Sequence, residues 1–158
     1  MNDERDEILT AIAKNNKVAL ARLLAEGCDS NVKDSAGRTP LMHAVIGDKR
    51  EIVDMLIHNG ADVNAQDNDG FSPLHFAAQD FRVETAKSLL NNNAQVDARD
   101  EYGNTPLWRA VFNSRGRGEM INLLLEHGAD RMIRNKSGKT SVELANTIAN
   151  FNIKQFFR

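Results

Sequence analysis

Residues 34–66 read DSAGRTPLMHAVIGDKREIVDMLIHNGADVNAQ, and the rest of the chain varies that unit. Residues 67–99, DNDGFSPLHFAAQDFRVETAKSLLNNNAQVDAR, restart it 33 residues later. Residues 100–134, DEYGNTPLWRAVFNSRGRGEMINLLLEHGADRMIR, repeat it with two extra residues, and NKSGKTSVELAN opens it again at Asn135. Self-similarity at a fixed period specifies a stack of like units, each covering the apolar face that its neighbour cannot bury alone.

Each position in the unit has a physical reading. Gly37, Gly70, Gly103 and Gly138 fall in a D/N-x-x-G turn, where a positive φ is needed and glycine supplies it without steric cost. Thr39-Pro40, Ser72-Pro73 and Thr105-Pro106 follow. The hydroxyl caps a helix N-terminus, and proline at the first helical position forfeits no hydrogen bond. Small residues at Ala44, Ala77, Ala78 and Ala110 let this short first helix lie close to its neighbours. The second helix carries apolar residues at helical spacing, such as Ile52, Val53, Leu56 and Ile57. Gly60 and Gly128 stand where a helix ends in a left-handed residue, and Asn93 takes that place in residues 67–99.

This period, together with T-P-L-H-x-A, resembles the ankyrin repeat. Residues 72–78, SPLHFAA, and 59–65, NGADVNA, carry the likeness most closely. The resemblance implies an all-α repeat solenoid, an ankyrin-repeat stack of helix-turn-helix units with β-turn fingers. It covers nearly the whole chain as a single domain, 1–158. Residues 3–33 form an N-terminal cap repeat, 34–66, 67–99 and 100–134 are full repeats, and 135–158 form a C-terminal cap repeat. The resemblance also gives His75 a hydrogen-bonding role between adjacent repeats. Met42 and Trp108 replace it in the flanking copies, so that ladder is incomplete.

The two ends depart from the unit. The first stretch, DERDEILTAIAKNN, predicts a helix with Ile8, Leu9, Ile12 and Ala13 on one side, and Asp3, Glu4, Asp6 and Glu7 suit an exposed end near the positive helix pole. At the other end Thr140-Ser141-Val142-Glu143 replaces T-P-L-H, and residues 148–157 are expected to form a closing helix with Phe151, Phe156 and Phe157 for packing. Three phenylalanines there also make dimerisation through that end a minority reading beside a monomer. The extra residues of the third full repeat fall in Ser114-Arg115-Gly116-Arg117-Gly118, read as a solvated loop on the side away from the fingers.

Composition narrows the function classes. A formal net charge of −2 gives no reason to expect a general nucleic-acid or membrane binder. Residues 1–79 carry 8 basic and 13 acidic groups, and residues 80–158 carry 12 and 9, so the halves differ in sign. The single cysteine, Cys28, excludes an internal disulfide, and its slot is Ala61, Ala94 and Ala129 in later copies, which predicts a small buried core residue. No long apolar run is present and the start MNDERDE is unlike a signal peptide, so cytoplasmic residence is expected. No histidine pair has zinc-ligand spacing, and no G-x-S-x-G, H-E-x-x-H or G-x-x-x-x-G-K-[ST] occurs. Asp34, Asp67 and Asp100 recur at the turn position, which marks them as turn formers, whereas a catalytic pair would be unique. The expectation is a non-enzyme with no catalytic residue, cofactor or metal.

Function is then expected in positions the scaffold leaves free. The family resemblance implies that partners dock on the concave surface made by fingers and first helices. Transferred slot by slot, the contact residues are Arg38 and His43; Asp69, Phe71, Phe76, Gln79 and Asp80; and Glu101, Tyr102, Asn104, Trp108, Arg109, Phe112 and Asn113. Aromatic and arginine side chains dominate interface energies, and Phe71, Phe76, Tyr102, Arg109 and Phe112 come from adjacent repeats. The reading is a stand-alone module that binds another protein and acts by masking, inhibition or scaffolding. One version resembles the small ankyrin proteins that neutralise a cognate toxin or enzyme in bacteria. A nucleic-acid or anionic partner, held by Arg99, Arg109, Arg115, Arg117, Arg131, Arg134, Lys136 and Lys139, is the alternative, disfavoured by the acidic N-terminal half.

Overall fold

The structure, a computed structural model, describes residues 2–148 and 152–158. Local chemistry decides where its helices begin. Thr39, Ser72, Thr105 and Thr140 sit in extended backbone, and their hydroxyls accept from Met42, His75, Trp108 and Glu143 N–H. Each such cap contributes about 1 kcal/mol. From them start the short inner helices α3 (Pro40–Ile46), α5 (Pro73–Gln79), α7 (Pro106–Asn113) and α9 (Ser141–Thr147), continuing a row begun by α1 (Asn2–Ala13). Outer helices α2 (Lys17–Ala25), α4 (Arg50–His58), α6 (Val83–Asn91) and α8 (Glu119–Glu126) alternate with them. Neighbouring inner helices pack along one row and α4, α6 and α8 along a second, so the molecule is a two-layer helical stack. Among the described residues there is no strand.

The same slots are buried in every copy. Leu41, Leu74 and Leu107 are fully buried, as are Leu56, Leu89 and Leu124 on the outer helices. Truncating any one to alanine is worth about 2–5 kcal/mol. Ala44, Ala77 and Ala110 have no exposed surface, which is why inner helices approach closely. In the first helix Ile8, Ala11 and Ile12 form the buried side and Leu9 lies at its edge, but Ala13 is exposed rather than on that side.

The recurrent Asp is a turn former by geometry. Asp34, Asp67, Asp100 and Asn135 each accept, through one oxygen, from the N–H groups two and four residues on. Fingers join through single backbone bonds: Asn68 N–H to Ala36 C=O, Glu101 N–H to Asp69 C=O, and Lys136 N–H to Tyr102 C=O, each 2.9 Å. That approach leaves no room for a side chain at Gly70, where a Cβ would lie 2.8 Å from the Glu101 nitrogen.

Three further ladders tie repeat to repeat. His75 Nε2–H donates to Asn104 C=O at 3.0 Å while its Nδ1 accepts from Ser72 N–H. Lys33, Gln66 and Arg99 each donate to the backbone carbonyl of the equivalent residue one repeat on, respectively Gln66, Arg99 and Arg134. Asn31 and Asn64 bond both ways, donating to Gly60 and Asn93 C=O and accepting from Asp62 and Gln95 N–H. Asp97 holds the third place in that ladder but, as a carboxylate, only accepts, from Asp130 N–H at 3.0 Å.

Several expectations for the ends change. Residues 148–157 do not make one α-helix: Ile148 lies outside α9, and Ile153–Phe157 is a short 3-10 helix. Phe151 falls outside the described residues. Phe156 and Phe157 are half-buried against the core, with Phe156 seated where Gly118 has no side chain. The inserted loop is correspondingly not simply solvated. Ser114 and Gly118 are buried and the Arg117 guanidinium lies 4.1 Å from the Phe81 ring centre, because the loop packs between a neighbouring repeat and the C-terminal turn. Cys28 is only half-buried, unlike Ala61 and Ala129. Partial burial, followed by Glu4, Glu26 and Glu7, raises its thiol pKa.

Two stability tests follow. Asp97→Asn supplies the missing donor and removes a carboxyl whose pKa is raised by burial and by Asp130. It should stabilise the fold by about 1 kcal/mol in neutral urea denaturation. The gain should shrink as pH falls through the raised pKa, where wild-type Asp97 becomes protonated. His75 behaves oppositely: burial holds its pKa below the usual value. Its contribution is full above pH ~6.5 and is lost as pH falls through the lower folded value. In His75→Met, the residue type already present at Met42, that part of the slope between neutral and mildly acidic pH should vanish.

Candidate functional site

The face made by the fingers and inner helices carries a continuous series of stacked rings and guanidinium groups. Arg38 lies 5.3 Å from the Phe76 ring centre, Phe76 lies 5.1 Å from Phe71, and Phe71 lies 4.4 Å from the Arg109 guanidinium. Arg109 is 5.9 Å from Trp108, whose indole stacks on Phe112 at 5.3 Å and 12°. The slot spacing makes this possible. The residue nine after each turn Asp projects from an inner helix toward that turn: His43 Nε2 meets Asp34 at 2.8 Å, Arg109 Nε meets Asp100 at 3.0 Å, and Phe76 occupies the same slot between them. Burial works against ionisation of Asp34, yet the Arg38 and Ala36 N–H groups and the His43 ring hold its pKa below the usual value.

Much of this series is satisfied internally. Phe76 and Asn104 are each only 6% exposed, so they serve packing: Phe76 fills the space beneath Phe71, and Asn104 accepts from the Asn135 side chain while its carbonyl receives His75. Arg109 neutralises Asp100, whose side chain is fully buried, and Arg38 approaches Asp67 at 3.5 Å. His43, Phe71, Gln79 and Asn113 are half-exposed, with Asn113 bonded to Arg109 C=O. Trp108 is half-exposed, and its Nε1–H is buried without the partner that His75 finds in the preceding repeat.

What faces solvent is concentrated at one end of the series. Tyr102, on the third finger, is 57% exposed and Phe112, near the end of α7, is 59% exposed. Asp69 and Glu101 are exposed beside Tyr102, Asp80 is exposed at the end of α5, and the Glu101 carboxylate raises the Tyr102 hydroxyl pKa. Among the described residues no group of three His, Cys, Asp or Glu side chains is placed to hold a metal, and no helix is long and apolar enough to cross a membrane.

The family model for ankyrin repeats (three copies) matches residues 1–67 and 47–135. The chain belongs to the ankyrin-repeat family. No curated protein sequence matches it. Ankyrin repeats generally mediate protein–protein interaction and are typically binding modules rather than enzymes.

Structural and exposed members of the series should separate under mutation. Arg109→Leu leaves a buried carboxylate without its cation and should cost about 3 kcal/mol in chemical denaturation. Phe112→Ser loses only one face of a stack and should cost no more than about 1 kcal/mol.

Proposed function

We propose that this chain binds a partner protein through the face of fingers and inner helices, and that binding itself, by masking, inhibition or scaffolding, is its action. The exposed aromatic group Tyr102, Trp108 and Phe112 carries this reading. Two rings more than half exposed on adjacent elements cost solvation that a bound partner would recover, and such rings are the usual energetic centres of interfaces. Asp69, Gln79, Asp80, Glu101 and Asn113 form the polar surround, Arg109 and Phe71 support it from beneath, and Arg38 and His43 extend the face into the first full repeat.

The alternative of an anionic partner is weakened by the engagement of the arginines. Arg99 donates to Arg134 C=O, Arg109 pairs with Asp100, and Arg117 lies over Phe81. Arg131 donates to Phe157 C=O and Arg134 pairs with Glu143. Five of the eight basic residues considered thus have internal partners, leaving Arg115, Lys136 and Lys139.

Affinity capture from host lysate with wild type beside Tyr102→Ala/Phe112→Ala tests the proposal. A stoichiometric partner should be retained by wild type and weakened about tenfold or more by the variant at unchanged helicity. If that partner is an enzyme or toxin, loss of its activity on adding the chain identifies inhibition. A partner held equally by both proteins would move the binding face elsewhere.

A further inference from the structure

Some charges of this molecule pair with one another. Across neighbouring repeats Lys17 meets Glu51, Arg50 meets Glu84, Arg82 meets Asp48, and Arg134 meets Glu143. On the finger face several do not. Among the described residues, Asp69, Asp80, Glu101, Lys136 and Lys139 take part in no ion pair. Their order is set by the backbone bonds between fingers. Glu101 N–H on Asp69 C=O and Lys136 N–H on Tyr102 C=O place two acidic rungs, an aromatic ring and then a basic rung in succession. Lys139 lies on the same finger as Lys136. Beneath the row Arg109 and Asp100 neutralise each other, so the surface potential belongs to the unpaired groups.

We propose that the occupant of this face is an extended segment of another protein with a fixed charge order. A basic residue lies over Asp69 and Glu101, apolar side chains cover Tyr102 and Phe112, and an acidic residue faces Lys136 and Lys139. This rests on the preceding reading that the face binds protein. Apolar contact at Phe112 supplies affinity, while the flanking charges select the order and reject its reverse by like-charge contact. The apolar patch runs from a fingertip, Tyr102, to the far end of α7, Phe112, so an occupant must reach from one to the other. Nucleic acid does not fit a row whose first two rungs are carboxylates.

Selection of displayed random short peptides against the purified full chain tests this, with affinities read from Trp108, its single tryptophan. Enriched peptides should carry a basic residue on one side of an aromatic or aliphatic residue and an acidic residue on the other. They should bind Tyr102→Ala/Phe112→Ala about tenfold or more weakly. Selection against Lys136→Glu/Lys139→Glu should return peptides basic at both ends, and rising salt should weaken binding. Peptides that need Phe112 but lack the charge order overturn the proposal while leaving the face as a binding surface. Peptides indifferent to Tyr102 and Phe112 overturn both. No enrichment, or sedimentation showing self-association abolished by Phe112→Ser, overturns it in favour of another occupant or a second copy.

Discussion

No helix pair in this chain can bury its own apolar surface, and everything else depends on the next pair covering it. Leu41, Leu74 and Leu107 are fully buried only because inner helices lie side by side, and alanines at Ala44, Ala77 and Ala110 permit that distance. Stability is therefore shared between repeats. The polar contacts follow the same rule, since Lys33, Gln66, Arg99, Asn31, Asn64 and His75 all bond to the following repeat.

That dependence limits which residues are free to act. An arginine on a repeat protein looks available in sequence, yet here Arg99 bonds to a carbonyl and Arg109 neutralises a buried carboxylate. The aromatic series is divided in the same way. Phe76 and Phe71 contribute to cohesion between repeats through Arg38 and Arg109, and Tyr102 and Phe112, farther along, present their rings to solvent. Scaffold and proposed binding surface are thus consecutive parts of one face.

Asp97 shows how a small departure from the repeat registers physically. Asn31 and Asn64 each use both ends of an amide, and replacing the amide by a carboxylate removes the donor while keeping the acceptor. A partial loss of cohesion at one junction is the consequence. Thr85 is a second departure, since its buried hydroxyl has no partner in a slot that Ile52 and Met120 fill with apolar side chains.

The sequence by itself determined the stack, the capped starts of the inner helices and the turn role of Asp34, Asp67 and Asp100. Those features depend on contacts within a few residues, repeated at a fixed period, so the chemistry is visible in one dimension. It also singled out the aromatic and arginine group between residues 71 and 112. Only the tertiary structure decided which of these side chains face outward, because that turns on what the neighbouring repeat places above each one. Phe76 is covered by Arg38 of the preceding repeat as well as by Phe71 of its own, whereas Phe112, three positions farther along its own helix, is open. The C-terminal turn was legible only in part for the same reason: Phe156 is held by a missing side chain at Gly118, a partner with no sequence signature of its own.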